Sequence, residues 1–343
     1  MEVSRSAPES AAASAQVPRP AAVGVADVRR AQFEPQWSPR PSWTEAPASL
    51  VTWAESMLGG PIMTFRDVVG GFSSGLATRL AGPSGRRLFV KAVNPELNSF
   101  AAAALHRERA VGHALSPVPR LAVPRLRGAF DDGRWLGLAF DEVDGTNPSW
   151  PWTEADLART LDALAELHRA LTPAPDVGLP AADQAMQRHR GRWASLAGDC
   201  AAVAALDPWL RVNLDRLAAR AVQADLAGDT LINVDVRADN VVFDGTGRVW
   251  FVDWPWACVG AAHVDVMFFL VNAAVCGHDP EQWLARSHVA DAPPEDCTDA
   301  LCLLAGMLAE GSGQPEPPGV RGLRPFQSAH LDAATDWLRR RLG

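Results

Sequence analysis

The stretch Leu231-Ile-Asn-Val-Asp235-Val-Arg237-Ala-Asp239-Asn240-Val-Val-Phe-Asp-Gly-Thr-Gly-Arg-Val-Trp-Phe-Val-Asp253-Trp-Pro255 decides how the rest of the chain is read. Two apolar, strand-like segments, Thr230–Ile232 and Val241–Phe243, flank a short polar loop. Gly245-Thr-Gly247 reads as a hairpin turn, after which a strand over Val249–Val252 ends at Asp253. This pairing is expected to gather Asp235, Asn240 and Asp253 without distant parts of the chain having to meet. A carboxylate can take a proton from a hydroxyl, and one amide plus one carboxylate oxygen suit magnesium, a hard cation that keeps water and phosphate as its other ligands. Phosphoryl transfer asks a protein for little more than that. The Asp-x4-Asn spacing alone is common in loops; the aspartate after the second strand gives it weight.

Upstream lies a matching half. Val68-Val-Gly70-Gly71-Phe72-Ser73-Ser74-Gly75 is a glycine-rich turn between strand-like runs. Glycine lets backbone approach phosphate closely, and the serines add donors. Arg87-Leu-Phe-Val-Lys91-Ala-Val is an apolar strand interrupted by one lysine, which must be paired if buried. The helix-like run Leu97–Leu115 offers Glu108 as its carboxylate. Glycine loop, strand lysine and helix glutamate, in that order, form an arrangement that holds nucleotide phosphates.

Together these stretches resemble the aminoglycoside phosphotransferase family, the small-molecule branch of the protein-kinase-like fold. The resemblance runs from about Trp53 to near the C-terminus. It is carried by Gly70–Gly75, Phe89-Val-Lys91-Ala-Val93, Leu138-Ala-Phe-Asp-Glu-Val-Asp-Gly145, Leu164-Ala-Glu-Leu-His168 and the segment 231–256. It implies an α+β, two-lobed fold with a small antiparallel-sheet N-lobe and a mainly helical C-lobe. On the nucleotide side it implies roles for Gly71, Ser73, Ser74, Gly75, Lys91 and Glu108. A hinge around Asp141, Glu142 and Val143 would bond the adenine through its backbone. Asp235 would be the base, Arg237 would steady charge on the transferring group, and Asn240 and Asp253 would hold Mg2+. ATP is the implied donor, with GTP as an alternative. His168 is expected in the core, supporting the catalytic loop. Arg237 has a second reading, a surface arginine paired with Asp239. The family usually carries His-Gly-Asp where this chain has Asn233-Val234-Asp235. Asparagine can still hydrogen-bond, but valine restricts the backbone where glycine is permissive.

After Asp253, Trp254-Pro255-Trp256-Ala-Cys-Val-Gly260 runs quickly into a helix-like stretch, Ala262–Cys276, leaving no room for a long regulatory loop or a protein-substrate platform. A small hydroxylated acceptor is therefore expected. Asp265 is read as a structural cap or partner. The acidic residues between Asp279 and Glu316 face only Arg286 in their own segment, which suits either a cation site or, preferably, a solvated helical face. Trp254 and Trp256 suit an acceptor wall or the cleft floor.

Composition agrees. The 343 residues can bury a large core, and the net charge of −8 gives no basic footprint for nucleic acid or an anionic membrane. The five cysteines lack metal-ligand spacing: Cys297 and Cys302 read as one helix surface and the others as buried thiols of a reducing cytoplasm. The apolar run Val266–Cys276 is too short to span a bilayer, and the amino end lacks a compact hydrophobic signal core, so a cytoplasmic location is expected. Three units are expected: a disordered tail over 1–50, the N-lobe over 51–143 and the C-lobe over 144–343. Helices are expected at Thr153–Leu171, with Thr153 as N-cap, and at 183–196, 207–225, 280–290, 297–311 and 327–342. Three functions remain open: a kinase of aminoglycoside-like molecules, a metabolic kinase of choline, a sugar or an amino-alcohol, and a nucleotide-binding pseudokinase.

Overall fold

The computed structural model describes residues 34–176 and 178–343. Its N-lobe is a five-stranded antiparallel sheet built from β1 (Thr64–Asp67), β2 (Leu76–Ala81), β3 (Arg87–Val93), β4 (Leu126–Asp131) and β5 (Leu136–Asp141), in the order β1-β2-β3-β5-β4. Period-two alternation along β3 divides its residues between two faces. Leu88, Val90 and Ala92 pack with Leu50, Ala54 and Leu58 of α1 (Ala48–Leu58) on one face. The opposite face carries Lys91 and, from β5, Leu138 and Phe140, which pack with Ala101, Ala102 and Leu105 of α2 (Ser99–Leu115). The lysine is thus turned toward the helix that holds Glu108. Asn98 caps α2 through a 2.8 Å bond from the Ala101 N–H to its side-chain oxygen.

A tail was expected through residue 50. Residues 1–33 lie outside the described residues, but Glu34 onward is placed. Ser42 starts a 3-10 turn at Trp43–Glu45 with a capping box, and α1 begins at Ala48. The apolar Trp43 and Leu50 are buried, which draws this segment onto the sheet.

The C-lobe opens with β6 (Gly145–Thr146) and α3 (Glu154–Ala170), which Thr153 caps as expected, with Leu157, Leu161, Leu164 and Leu167 all buried. The single helices expected at 183–196 and 207–225 are each divided. Gly191 separates α4 (Ala182–Arg190) from α5 (Arg192–Ala197). After α6 (Cys200–Ala205), α7 (Pro208–Val212) is separated from α8 (Leu214–Gln223) at Asn213. The strand-rich centre holds β7 (Thr230–Ile232), β8 (Val241–Asp244), β9 (Val249–Phe251) and β10 (Cys258–Gly260). β8 and β9 form the expected hairpin, but β7 pairs with β10 rather than with β8. The loop between β7 and β8 is therefore spanned by two small sheets. Beneath it runs α9 (Ala262–Val275), buried along nearly its whole length. The lobe closes with α10 (Pro280–Ala285), α11 (Pro294–Ser312) and α12 (Leu323–Leu342). Among the described residues no helix is long and apolar enough to cross a membrane.

Candidate active site

Lys91, Glu108 and Asp253 meet across the two lobes. The Lys91 Nζ donates to Glu108 Oε1 at 2.7 Å and Oε2 at 2.9 Å, and to Asp253 Oδ1 at 2.8 Å. Burial works against the ammonium charge, but Asp253 and Glu108 outweigh it and raise the lysine pKa. The same balance holds Asp253 below the usual carboxylate range: burial opposes its charge, while Lys91, Arg237 and Arg40 favour it. Glu108 is raised by burial and by Asp253, against the pull of Lys91. Asp253 takes a left-handed backbone, φ 63°, a strained conformation for an aspartate that turns its side chain back toward the lysine.

The loop from Asn233 to Asn240 carries the second half. Asn240 Nδ2 donates to the Asp235 carbonyl at 2.9 Å and to its carboxylate at 3.0 Å, which leaves the amide oxygen of Asn240 to face a cation. Asp235 is pushed up to about 7 by burial and by the charges of Asp239 and Asp253, against Arg237 and Asn240. A carboxylate poised there accepts a proton near neutral pH.

The departures at Asn233 and Val234 have a structural reading. Asn233 is buried, accepts from the Asp235 N–H at 2.9 Å and donates to the Asp253 carbonyl at 3.2 Å, so it ties Asp235 to the segment that follows β9. Val234 adopts φ 67°, the left-handed region that glycine enters without cost. Asp265 holds both residues there, accepting the Asn233 N–H at 2.8 Å and the Val234 N–H at its other oxygen. It also bonds His168 Nε2 at 3.0 Å, and His168 Nδ1 meets His288 Nε2 at 2.9 Å. His288 is lowered to about 4 by burial and by His168 and Arg169. Asp265, read as structural, is the buried anchor of the catalytic loop, and His168 supports it from the core as expected.

Arg237 is not a surface residue. It does pair with Asp239, at 3.1 and 2.9 Å, but its side chain is only 15% exposed and reaches within 3.5 Å of Asp235. Its guanidinium lies 5.4 Å from the ring of Phe72 and 5.6 Å from that of Phe326. Phe72 belongs to the glycine-rich turn, so the turn lies over the catalytic loop. Gly71 favours glycine through its φ of 72°, and a Cβ there would sit 3.1 Å from the Arg40 guanidinium. Ser73 Oγ accepts the Gly75 N–H at 3.4 Å, and Ser74 Oγ accepts from Asn98 at 2.6 Å. The two serines, expected as phosphate donors, brace the turn itself in this conformation.

Lys91, Glu108, Phe89, Asp141, Val143 and Asp253 line one cavity of about 110 Å3 between the lobes. A larger groove of about 1020 Å3 shares Asp141 and Val143 but reaches neither Lys91 nor Asp253, and neither space is lined by Asp235 or Asn240. The small cavity is therefore the one joined to the Lys91–Glu108–Asp253 cluster. The Asp141 N–H already bonds the Arg125 carbonyl at 2.9 Å, so at this hinge position only the Asp141 carbonyl is offered to a ligand.

Several residues of this site escaped sequence reasoning. Asn147 donates to the carbonyls of Ala238, Asp239 and Val241 and holds the catalytic loop from the hinge side. Arg40 bonds the glycine turn. Neither has a local sequence signal, because each acts through tertiary contact alone. The acidic run of the C-lobe also reads differently: its counter-ions come from other helices. Arg341 pairs with Glu281, Arg220 with Glu295 and Asp299, and Arg192 with Glu310. Trp254 is buried, donating to the Phe251 carbonyl at 3.0 Å, and belongs to the cleft floor; Trp256 lies under Arg107 at 4.5 Å. Cys297 and Cys302 share α11 but face the core, and Cys200 is exposed rather than buried, on a short helix none of whose residues is buried.

The sequence profile of the phosphotransferase enzyme family matches residues 68–304. No curated protein matches the chain by sequence. Among solved structures, the chain is similar to a thermostable mutant of aminoglycoside phosphotransferase APH(4)-Ia in ternary complex with ADP and hygromycin B. That likeness has a TM-score of 0.59 and 14% identity, over 86% of this chain and 99% of that one. It is also similar to macrolide 2'-phosphotransferase MphH from Brachybacterium faecium, at TM-score 0.53 and 17% identity, over 85% and 98% of the two chains. The Plasmodium vivax ethanolamine kinase follows at TM-score 0.51 and 11% identity, covering 81% of this chain and 84% of that chain. At these identities the likeness is one of fold.

Proposed function

The chain belongs to the phosphotransferase enzyme family, and from that premise we propose that it transfers the γ-phosphoryl group of ATP to a hydroxyl of a small polar molecule. One observation carries the reading: Lys91, paired with Glu108, bonds Asp253 across the lobes, and Asn233 ties Asp253 to Asp235, whose carboxylate bonds Asn240. Asp235 takes the acceptor proton as the hydroxyl oxygen attacks phosphorus and the bond to the ADP oxygen breaks. Lys91, steadied by Glu108, holds the phosphates, and Arg237 faces the charge that spreads over the transferring group. Asn240 and Asp253 supply the hard oxygens that Mg2+ prefers, and bound there the ion neutralises phosphate charge. Gly71, Ser73, Ser74 and Gly75 form the loop over the phosphates. The adenine lies against Phe89, bonding the Asp141 carbonyl and the Val143 N–H; GTP would present different edge groups to the same hinge.

The acceptor is a small molecule because Asp253 is followed within nine residues by α9, with no room for a protein-substrate platform. An aminoglycoside-like hydroxyl compound fits this class. A less highly charged acceptor, such as an amino-alcohol or a sugar, is favoured by the arginine pairing of the C-lobe acids, which removes free carboxylates from a polycation. The test is a phosphate-transfer screen over aminoglycosides, amino-alcohols and sugars with ATP and with GTP. Transfer to a member of one class names the acceptor. Nucleotide binding with no transfer to any class, and no slow hydrolysis, would establish a pseudokinase instead.

A further inference from the structure

We propose that Arg40, supplied by a strap N-terminal to the matched segment, is a phosphate-positioning residue; the proposal rests on the nucleotide reading given above. Its guanidinium donates to the Gly70 carbonyl through Nε at 3.0 Å and Nη2 at 2.7 Å, and to the Gly75 carbonyl through Nη1 at 3.1 Å. These carbonyls stand at the two ends of the glycine-rich turn. A planar, rigid fork that bonds both fixes their separation, and with it the path of the turn between them. Lysine, a single point donor on a flexible stem, cannot make the same bridge.

The position of the charge gives the bridge a second role. Arg40 lies against the missing side chain of Gly71, beside Asp239, and its charge is felt by Asp239 and Asp253. Its charge therefore stands beside the glycine-rich turn and near Asp239, and on the nucleotide reading the phosphates pass under that turn. Lys91 is engaged by Glu108 and Asp253, and Arg237 by Asp239. Arg40, by contrast, gives its bonds to neutral carbonyls rather than to carboxylates. The strap is fixed on the N-terminal side of this contact. The Ser38 N–H donates to the Gly71 carbonyl at 3.4 Å, and the Ser38 hydroxyl accepts the Arg321 N–H at 2.9 Å. Trp37 packs on Phe72 at 5.3 Å.

The experiment compares the full-length wild type with Arg40→Lys and Arg40→Ala, titrating each with Mg·ATP and separately with adenosine in a calorimeter, alongside circular-dichroism melts. ATP affinity is expected to fall tenfold or more in Arg40→Ala and less in Arg40→Lys, with adenosine affinity within twofold of wild type. Added ethylguanidinium is expected to recover part of the ATP affinity of Arg40→Ala. Equal loss of ATP and adenosine, or ATP affinity within twofold of wild type in a folded variant, would overturn the proposal. If Arg40→Ala does not fold, Arg40→Lys decides by the same criteria. Failure of the wild type to bind ATP would instead remove the nucleotide reading beneath it.

Discussion

Asp235 and Val234 stand side by side, one with a displaced carboxyl and the other with a left-handed backbone. Burial pushes the Asp235 carboxyl up to about 7, so the folded protein holds a proton there that the unfolded chain releases near the ordinary aspartate range. Between those two values the folded state binds more protons than the unfolded one, and stability therefore falls as pH rises from about 4 to about 7. The apo Asp235→Asn variant escapes this loss, and thermal melts should show it gaining on wild type between pH 5 and pH 8. The same substitution should lower kcat by about 10²–10⁴ while leaving the ATP Kd in place. Wild-type kcat/KM should rise to a plateau through a pKa near 7; a profile flat from pH 5 to 8 would remove Asp235 as the base. Val234 carries a different burden. A β-branched residue at φ 67° costs about 1–3 kcal/mol, borne by the Asp265 bonds around it. Val234→Gly should stabilise by roughly 1 kcal/mol after glycine's entropic cost is subtracted, as read from urea melts, with transfer activity retained.

Among elements, β3, α2 and the segment just after β9 are joined by one ammonium, which ties them together and, in the proposed function, also binds phosphate. Lys91→Ala leaves Glu108 buried without its cation and should cost about 3 kcal/mol, together with most of the activity. A double change, Lys91→Met with Glu108→Leu, separates the two roles. Urea melts should show stability largely recovered because no charge is stranded, while activity stays lost; recovered activity would mean the lysine only packs. This element was legible in sequence because a lone lysine in an apolar strand demands partners, and the next helix offered one. The Asp235–Asn240–Asp253 series was legible because a loop and a hairpin bring all three together within one short stretch. Asp265 was legible only as a structural partner and Asn147 not at all, since an aspartate in a buried helix and an asparagine after a hinge look alike whether or not loop N–H groups or carbonyls converge on them. The divided helices fail for a related reason: the apolar spacing continues across Gly191 and Asn213, and only the packing around α11 shows where the axis turns.

At the scale of the whole molecule, the lobes are held by contacts that lie in the path of the nucleotide. Lys91 reaches Asp253 across the cleft, Phe72 packs on Phe326 at 5.0 Å, and the Arg40 strap bonds both ends of the glycine turn. The cavity that Lys91 and Asp253 line, about 110 Å3, is well below the roughly 300–1,000 Å3 of typical ligand pockets. A nucleotide bound as proposed would touch both lobes, because residues of each line this cavity. Binding should then stabilise the two lobes as one unit. With Mg·ATP at a hundred times its Kd, linkage gives about 2.7 kcal/mol, a rise in melting temperature of roughly 5 °C. Differential scanning fluorimetry should record that rise as a shift of a single transition, with adenosine producing a smaller one because it leaves the phosphate contacts unmade. Two separate transitions, only one of them moved by ATP, would mean that the nucleotide is held by a single lobe and that the contacts across the cleft do not couple the two.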